Sequence, residues 1–168
     1  MLKILLPSDG SINAQHAVRH VIREFRKNPA LELHVLNVQP PFSRHVGRFT
    51  DRLARLHVHQ EQAQAALRPV RRALDSSGVP YVVHTEIGDR AECIAESARR
   101  LQCHRIIMST ARKSALHRLL GQSVSNEVIR QTTVPVELIA GEAPSPLEKI
   151  GIPAGLGTGA LLVWMAAD

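Results

Sequence analysis

The stretch ILLPSDGS, residues 4–11, decides the fold of this chain. Its apolar beginning predicts a buried strand, and this strand stops at a turn that contains Asp9 and Gly10. A helical pattern follows at once, with Ser11 placed to cap its first turn. Open parallel sheets bind ligands where such connections leave the carboxyl ends of their strands. We therefore expect a ligand crevice beside Asp9, with a simple capped turn as the alternative.

Strand-like and helix-like segments alternate along the chain after this stretch. Short runs rich in Val, Ile and Leu predict five strands, at Lys3 to Leu6, Leu31 to Val38, Tyr81 to Glu86, Arg105 to Met108 and Val134 to Ile139. The first, fourth and fifth strands are nearly continuously apolar, which is typical of strands buried on both faces. The alternation predicts an α/β fold with a mostly parallel sheet between layers of helices.

Four helices are expected between the strands. The first carries an apolar stripe made of Ile12, Ala14, Ala17, Val18, Val21, Ile22 and Phe25. The second runs from about Asp51 to Ser77, and its inward residues are expected to be Leu53, Leu56, Ala63, Leu67, Val70 and Leu74. Pro69 should kink this helix or mark its last stretch. The third helix runs from Asp89 to Leu101 and the fourth from about Ser123 to Gln131.

The composition is that of one compact domain followed by a tail. The chain has 168 residues and a formal net charge of +6, which favours an anionic partner such as a nucleotide, a nucleic acid or a lipid headgroup. Aromatic residues make up 3% of the sequence and no nucleic-acid-binding motif occurs in it, which disfavours specific nucleic-acid binding. Two cysteines without C-x-x-C spacing and the lack of a secretory pattern predict a cytoplasmic protein. We expect Cys93 to be buried and Cys103 to be an exposed thiol near a helix end.

The sequence contains no motif that assigns a catalytic or metal site. His57 and His59 are two residues apart, so a helix directs them to different sides. His16 and His20 have helical spacing, but no third ligand accompanies them. A nucleophile elbow, a Walker loop and an acidic pair are all missing from the sequence. The sequence therefore favours a protein without catalytic activity and leaves an enzyme as the alternative.

A basic loop from Ser109 to Gln122 follows the fourth strand. It carries Arg112 and Lys113, and the helix after it begins with Ser123 and Ser125. Cations, hydroxyl groups and the free N–H groups of a helix N-terminus together suit a phosphate. The loop therefore predicts a phosphate site, with a solvated loop and ordinary serine caps as the alternative.

The ordered set of these segments resembles the universal stress protein family, UspA-like, over about residues 2–140. The resemblance is carried by residues 4–11, 33–38, 88–89, 106–108, the basic loop, 119–125 and 134–136. It implies an open five-stranded parallel sheet flanked by four helices, an adenine nucleotide alpha hydrolase-like arrangement. It also implies a homodimer in which the last strands, here Val134 to Ile139, meet.

The same resemblance implies a nucleotide site. In ATP-binding members of the family, an acidic residue after the first strand and the end of the second strand hold the adenosine. By position these are Asp9 and Val38 in this chain. The family's phosphate-binding hydroxyl corresponds to Ser123, with Val124 beside it.

The chain departs from the glycine pattern of the ATP-binding members. That pattern reads Gly-x-x-Gly, nine residues, then Gly-Ser or Gly-Thr. Ser109 and Arg112 occupy the first two glycine positions, Gln122 occupies the third, and Gly121 lies one place early. A side chain where φ must be positive costs about 1 kcal/mol, and it obstructs the approach of a phosphate. Arg112 brings a compensating charge, so we expect weak, degenerate nucleotide binding with ATP as the candidate cofactor.

These observations predict a non-catalytic stress-response or regulatory protein that acts as a homodimer. An ATP-binding member of the family that hydrolyses ATP slowly is the alternative. A basic accessory protein for nucleic acid is the third hypothesis.

A change in composition divides the chain into a domain, residues 1–141, and a C-terminal tail, residues 142–168. The tail has no charge from Ile150 to Ala167 and mixes glycines with apolar residues that include Trp164. An exposed apolar segment of this size needs a partner. We expect the tail to pack on the domain or the dimer, with membrane contact or a disordered tail as alternatives.

Overall fold

The computed structural model describes residues 1–42, 51–110 and 123–141. Strands and helices alternate through these residues, as the hydrophobic patterns predict. In chain order they are β1 (Lys3–Pro7), α1 (Ala14–Lys27), β2 (Glu32–Gln39), α2 (Arg52–Ser76), β3 (Tyr81–Ile87), α3 (Arg90–Arg100), β4 (Arg105–Thr110), α4 (Val124–Gln131) and β5 (Val136–Ala140). The predicted fold class is confirmed, with every strand and helix within a few residues of its expected position.

All five strands lie in one parallel sheet with the order β3-β2-β1-β4-β5. The chain leaves β1 toward β2 on one side, and later enters β4 on the other side of β1. The order therefore reverses between β1 and β4. In open α/β sheets, a crevice forms at such a switch point beyond the carboxyl ends of the strands.

The two faces of the sheet carry separate hydrophobic cores. Ile4 and Leu6 of β1 pack with α1 and α2, whereas Leu5 packs with α3 and α4. The central strands β1 and β4 hold Ile4, Leu5, Leu6, Ile106 and Ile107, each 0% exposed. The continuously apolar sequences of these two strands thus do correspond to burial on both faces.

The fifth strand does not follow that prediction. Among the described strands it has a neighbour only in β4 and forms an edge of the sheet, so none of its residues is fully buried. Leu138 is 38% exposed, and Glu137 is half-buried in contact with Arg105 at 2.6 Å. An edge strand has one face and one side in solvent, and its apolar sequence alone does not reveal this position.

Three apolar residues that were expected to face inward are exposed. Ile12 precedes α1 and is 79% exposed, because the helix begins only at Ala14. Leu53 and Leu56 are 73% and 49% exposed on the first two turns of α2. The buried stripe of α2 begins at His59 and continues through Ala63, Leu67, Val70 and Leu74. Helical periodicity predicts which face is apolar, but it does not predict how far the neighbouring elements extend along that face.

The prediction that Cys103 is exposed is wrong, and Cys93 is less buried than expected. Cys103 is 7% exposed and belongs to the core under α3 and α4, while Cys93 is half-buried. Gln102 adopts φ 54° after α3, and the N–H group of Cys103 then bonds the carbonyl of Ala98 at 2.8 Å. This tight turn directs Cys103 inward. Burial raises the pKa of both thiols, which disfavours the reactive thiolate form.

Within residues 1–42, 51–110 and 123–141, the helices are all too short or too polar to cross a bilayer.

Pro69 lies inside α2, which continues beyond it to Ser76. The basic loop's Arg112, Lys113, Gly121 and Gln122 lie outside the described residues, as does the tail from residue 142.

Candidate functional site

A crevice of about 370 Å³ opens at the carboxyl ends of β1, β2 and β4, at the switch point of the sheet. This volume lies in the range of small-molecule sites, roughly 300–1,000 Å³. Its walls come from the turn after β1, the ends of β2 and β4, and the first turns of α3 and α4. They are formed by Pro7, Ser8, Asp9, Ser11, Asn13, Ala14, Leu36, Val38, Arg90, Ile94, Met108, Ser109, Thr110, Ser123, Val124 and Ser125.

Contacts with β2 and α2 fix the turn after β1. The N–H group of Ser8 donates to the carbonyl of Leu36 at 2.8 Å, and the side-chain amide of Asn37 donates to the carbonyl of Ser8 at 2.8 Å. Gly10 has φ 79°, and a Cβ atom there would lie 2.5 Å from the carbonyl oxygen of Ala66 on α2. Only glycine permits both this backbone conformation and this close contact. The position of Asp9 is thus set by β2 and α2.

Asp9 presents a carboxylate at the mouth of the crevice. One of its oxygens accepts a hydrogen bond from the N–H group of Ser11 at 3.0 Å, and the side chain is exposed. The hydroxyl of Ser11 accepts from the N–H group of Ala14 at 3.2 Å, which satisfies a donor at the start of α1 as the sequence predicts. An exposed carboxylate with remaining acceptor capacity suits a ligand that carries hydroxyl donors.

The N-terminus of α4 forms the opposite wall. Ser123 caps the helix, because its hydroxyl oxygen accepts from the N–H group of Asn126 at 3.2 Å. The hydroxyl oxygens of Ser123 and Ser125 are 2.9 Å apart. The N–H groups of Val124 and Ser125 belong to the first turn, where a helix offers no acceptor. Hydroxyl and N–H donors at a helix N-terminus suit an anion, and phosphate above all.

The floor of the crevice between these polar walls is apolar. Leu36 and Met108 are buried in the sheet, Val38 lies at the end of β2, and Ile94 is 3% exposed on the second turn of α3. An apolar floor with a carboxylate on one side and donors on the other suits an amphipathic ligand. A flat base with an attached sugar and phosphate is one such ligand.

The crevice also has an uneven charge distribution. Among its described lining residues, Asp9 is the one acid and Arg90 is the one base. Arg90 is the first residue of α3, and no hydrogen bond or ion pair involves it in the described part of the chain. The one described cation of the walls therefore lies on the α3 side of the crevice and the one described acid on the side of the β1 turn, while Asp89, Glu92 and Glu127 line the adjoining groove.

The structure brings together five of the eight site residues expected from the sequence. Asp9, Val38, Ser109, Ser123 and Val124 all line this one crevice, although they are far apart in the sequence. The other three, Arg112, Gly121 and Gln122, lie outside the described residues.

Sequence reasoning missed Arg90, Ile94 and Met108. A signal for Arg90 was present, because the Gly88-Asp89 turn repeats the strand-turn-helix pattern that located Asp9. That turn predicts the start of the third helix, and its likeness to the Asp9 turn also indicates a residue at the crevice. Ile94 and Met108 have no such signal, since an apolar residue that lines a crevice has the same sequence pattern as one in the core.

The described residues form no centre that assigns a reaction. Within these residues, no group of three or more His, Cys, Asp or Glu side chains is placed to hold a metal ion. The apolar floor, carboxylate and N–H donors of the crevice suit the binding of a ligand.

Comparison with known proteins identifies the family of this chain. Residues 1–139 match the universal stress protein family. The chain is 30% identical over 141 residues to universal stress protein MJ0531 of Methanocaldococcus jannaschii, covering 82% of this chain and 81% of that protein.

Two solved structures share the fold. The protein MJ0577 is 27% identical, with a TM-score of 0.67 over 85% of this chain and 98% of its own. A universal stress protein in complex with cAMP is 16% identical, with a TM-score of 0.66 over 84% of this chain and 98% of its own. From the family match over most of the chain and the shared five-stranded fold, this protein belongs to the universal stress protein family.

Proposed function

We propose that this protein is a non-catalytic stress-response or regulatory homodimer that binds an adenine nucleotide weakly in the crevice. The observation that carries the proposal is the crevice itself. It joins an apolar floor, the Asp9 carboxylate and the donors of the α4 N-terminus at the switch point of the sheet.

Two structural neighbours support an adenine nucleotide as the ligand. One is the universal stress protein in complex with cAMP, and the other is a universal stress protein of Archaeoglobus fulgidus in complex with dAMP. Both ligands consist of adenine, a sugar and a single phosphate. This ligand class matches the amphipathic walls of the crevice in this chain.

Each part of such a ligand has a counterpart among the described residues. The base would lie on the apolar floor near Val38 and Ile94, where burial of its faces is favourable. The sugar hydroxyls would donate to the carboxylate of Asp9. The phosphate would accept from the hydroxyl of Ser123 and from the first N–H groups of α4.

Weak binding is proposed because of the basic loop. Its sequence lacks the glycines of ATP-binding members at Ser109, Arg112 and Gln122, so a backbone cradle for a long phosphate chain is compromised. A single phosphate at Ser123 needs less of that loop than a triphosphate does. We therefore expect AMP to bind at least as well as ATP.

The proposed homodimer uses β5, and the proposed location is the cytoplasm. This strand is an exposed edge of the sheet, and an apolar edge with unpaired backbone groups is suited to pairing with a second copy. Both cysteines are free, which fits a reducing compartment. We further propose that residues 1–141 are the functional domain and that residues 142–168 are an appended tail.

The decisive experiment is to identify the nucleotide that the protein carries. Purified protein is denatured, and the released small molecules are identified by absorbance and chromatography. Calorimetric titration of the nucleotide-free protein with adenosine, AMP and ATP follows. Binding of AMP without ATP turnover supports the proposal, release of ADP from ATP supports the alternative of slow hydrolysis, and no binding of any of the three contradicts both.

A further inference from the structure

We infer that Arg90 is the residue that selects an anionic ligand in the crevice, by binding the phosphate group of the nucleotide beside the N-terminus of α4. This inference rests on the proposed function and extends it to the choice between a nucleoside and a nucleotide.

The backbone at Arg90 is fixed relative to the crevice. Gly88 donates its N–H to the carbonyl of Gln39 at 3.0 Å, which ties the turn before α3 to the end of β2. Asp89 caps the helix, because its Oδ1 accepts from the N–H groups of Ala91 and Glu92, both at 3.0 Å. Arg90 therefore projects from a rigid helix start and not from a loop.

Arg90 lies where the crevice meets a second depression. That depression is a groove between the first turns of α3 and α4, and it shares Arg90, Ser123 and Val124 with the crevice. These three residues line both spaces. A phosphate that accepts hydrogen bonds from Ser123 and the α4 N-terminus is therefore next to the Arg90 side chain.

The charges that line the crevice itself favour one orientation of the ligand, with the phosphate on the Arg90 side and away from the acidic residues Asp89, Glu92 and Glu127 of the adjoining groove. A phosphate beside Asp9 would face a carboxylate, whereas a phosphate beside Arg90 would face the one described cation of the walls. A guanidinium donates two parallel N–H bonds to a phosphate, which makes it a directional anchor. The sugar hydroxyls are then directed toward Asp9.

Arg90 is also available for binding. Other arginines of the fold are engaged: Arg100 bonds Glu86 at 2.5 Å, and Arg130 bonds Glu127 at 2.6 Å. Arg90 has no such partner within the described residues, although Asp89 and Glu92 are its neighbours in the sequence. Binding a phosphate therefore breaks no ion pair between Arg90 and another described residue.

The test compares adenosine with AMP by calorimetry in the wild type and in Arg90→Ala. The wild type is expected to bind AMP more tightly than adenosine. Because a hydrogen bond to a charged group is lost, Arg90→Ala should weaken AMP binding about 10- to 100-fold and leave adenosine affinity unchanged. Arg90→Lys should recover part of the AMP affinity, since it restores the charge without the paired donors. Arg99→Ala, an exposed arginine at the other end of α3, is the matched control and should change neither affinity.

The possible results separate this inference from the proposed function. A wild type that binds neither adenosine nor AMP overturns both. If AMP binds the wild type and Arg90→Ala equally well, the crevice is a nucleotide site and Arg90 is a solvated surface residue. An equal loss of adenosine and AMP affinity in Arg90→Ala assigns Arg90 to the base or to the local fold and overturns its role toward phosphate.

Discussion

The side-chain amide of Asn37 donates a 2.8 Å hydrogen bond to the carbonyl oxygen of Ser8, and so connects the middle of the sheet to the turn that presents Asp9. Asn37 is 1% exposed, and its own side-chain oxygen accepts from the amide of Gln39 at 2.6 Å. The turn at the mouth of the crevice is therefore supported by a buried polar network on the α2 side of the sheet.

Asn37→Ala should destabilise the fold and weaken ligand binding together. It leaves the Ser8 carbonyl and the Gln39 amide without their partner, and each buried unsatisfied group costs about 1–3 kcal/mol. We expect the free energy of unfolding, measured with urea, to fall by about 2–4 kcal/mol. Asn126→Ala, an exposed position on α4, is the control and should change stability by about 0.5 kcal/mol or less. A variant as stable as the wild type would show that the network is dispensable.

Asp9→Asn should weaken adenosine binding, because it removes the charge that accepts the sugar hydroxyls. The amide oxygen of Asn still serves the N–H group of Ser11, so the turn is preserved, whereas Asp9→Ala loses both contacts. Each variant should lose about 1–3 kcal/mol of binding free energy in calorimetry. Arg112→Ala should reduce ATP affinity by a comparable amount if the basic loop contacts phosphate. ATP affinity that is micromolar or better and insensitive to both Asp9 and Arg112 would mean that the ligand lies elsewhere.

Charge introduced on β5 should dissociate the proposed homodimer. Leu138 is 38% exposed on the edge strand, so Leu138→Asp places a carboxylate in the expected interface without entering the core. Light scattering should show a dimer for the wild type and a monomer for this variant. The double variant Val136→Asp with Leu138→Asp should also be a monomer. Val82→Asp is the control, since Val82 is 49% exposed on β3 at the opposite edge. A monomeric wild type, or dissociation caused only by Val82→Asp, would rule out pairing through β5.

Acidification should destabilise the fold in part through His84. Burial lowers the pKa of His84 below its ordinary value, and the neighbouring His34 and Arg100 lower it further against an opposing effect of Glu86. The unfolded chain therefore binds a proton at a higher pH than the folded chain does. Stability contributed by neutral His84 is complete above the unfolded pKa, near 6.5, and is lost as the pH falls from there through the folded value.

The measurement is the urea midpoint at about pH 7.5 and about pH 5.5, which lie on either side of the ordinary histidine pKa. The midpoint of the wild type should decrease at the lower pH, and His84→Gln should decrease less. The control is His57→Gln, because His57 is exposed on α2. An identical pH dependence of the wild type and His84→Gln would exclude a contribution from this histidine.

Removal of residues 147–168 should lower the melting temperature, because the apolar tail is expected to cover surface on its own protein. Leu161→Asn combined with Leu162→Asn should act in the same direction, and Thr158→Ala should not. Binding of a hydrophobic dye to the truncated protein checks that apolar surface has been uncovered. If the truncated protein keeps its stability but no longer cosediments with liposomes, the tail binds membranes instead. If truncation changes neither stability nor cosedimentation, a docked tail is contradicted.

The sequence by itself determined the class of fold and predicted five of the residues that line the crevice, Asp9, Val38, Ser109, Ser123 and Val124. Strand and helix positions follow from local hydrophobic periodicity, which depends on neighbours in the chain and is therefore readable along it. The Ser8-Asp9-Gly10-Ser11 turn located the crevice, since a strand that ends in a glycine turn before a helix has few alternative geometries. The family resemblance then added Val38 to the same site and joined it to Ser123, which the pattern of the basic loop had already predicted as part of a phosphate site.

Only the tertiary structure decided which of these residues face a neighbour and which face solvent. Leu53, Leu56 and Ile12 have the apolar pattern of core residues, yet they lie where no described element covers them. Arg90 could not be placed beside Ser123 from the sequence, because 33 positions separate the two residues and only the packing of α3 against α4 on one face of the sheet brings them together. Burial and proximity between distant segments depend on how whole elements pack, and local patterns do not contain that information.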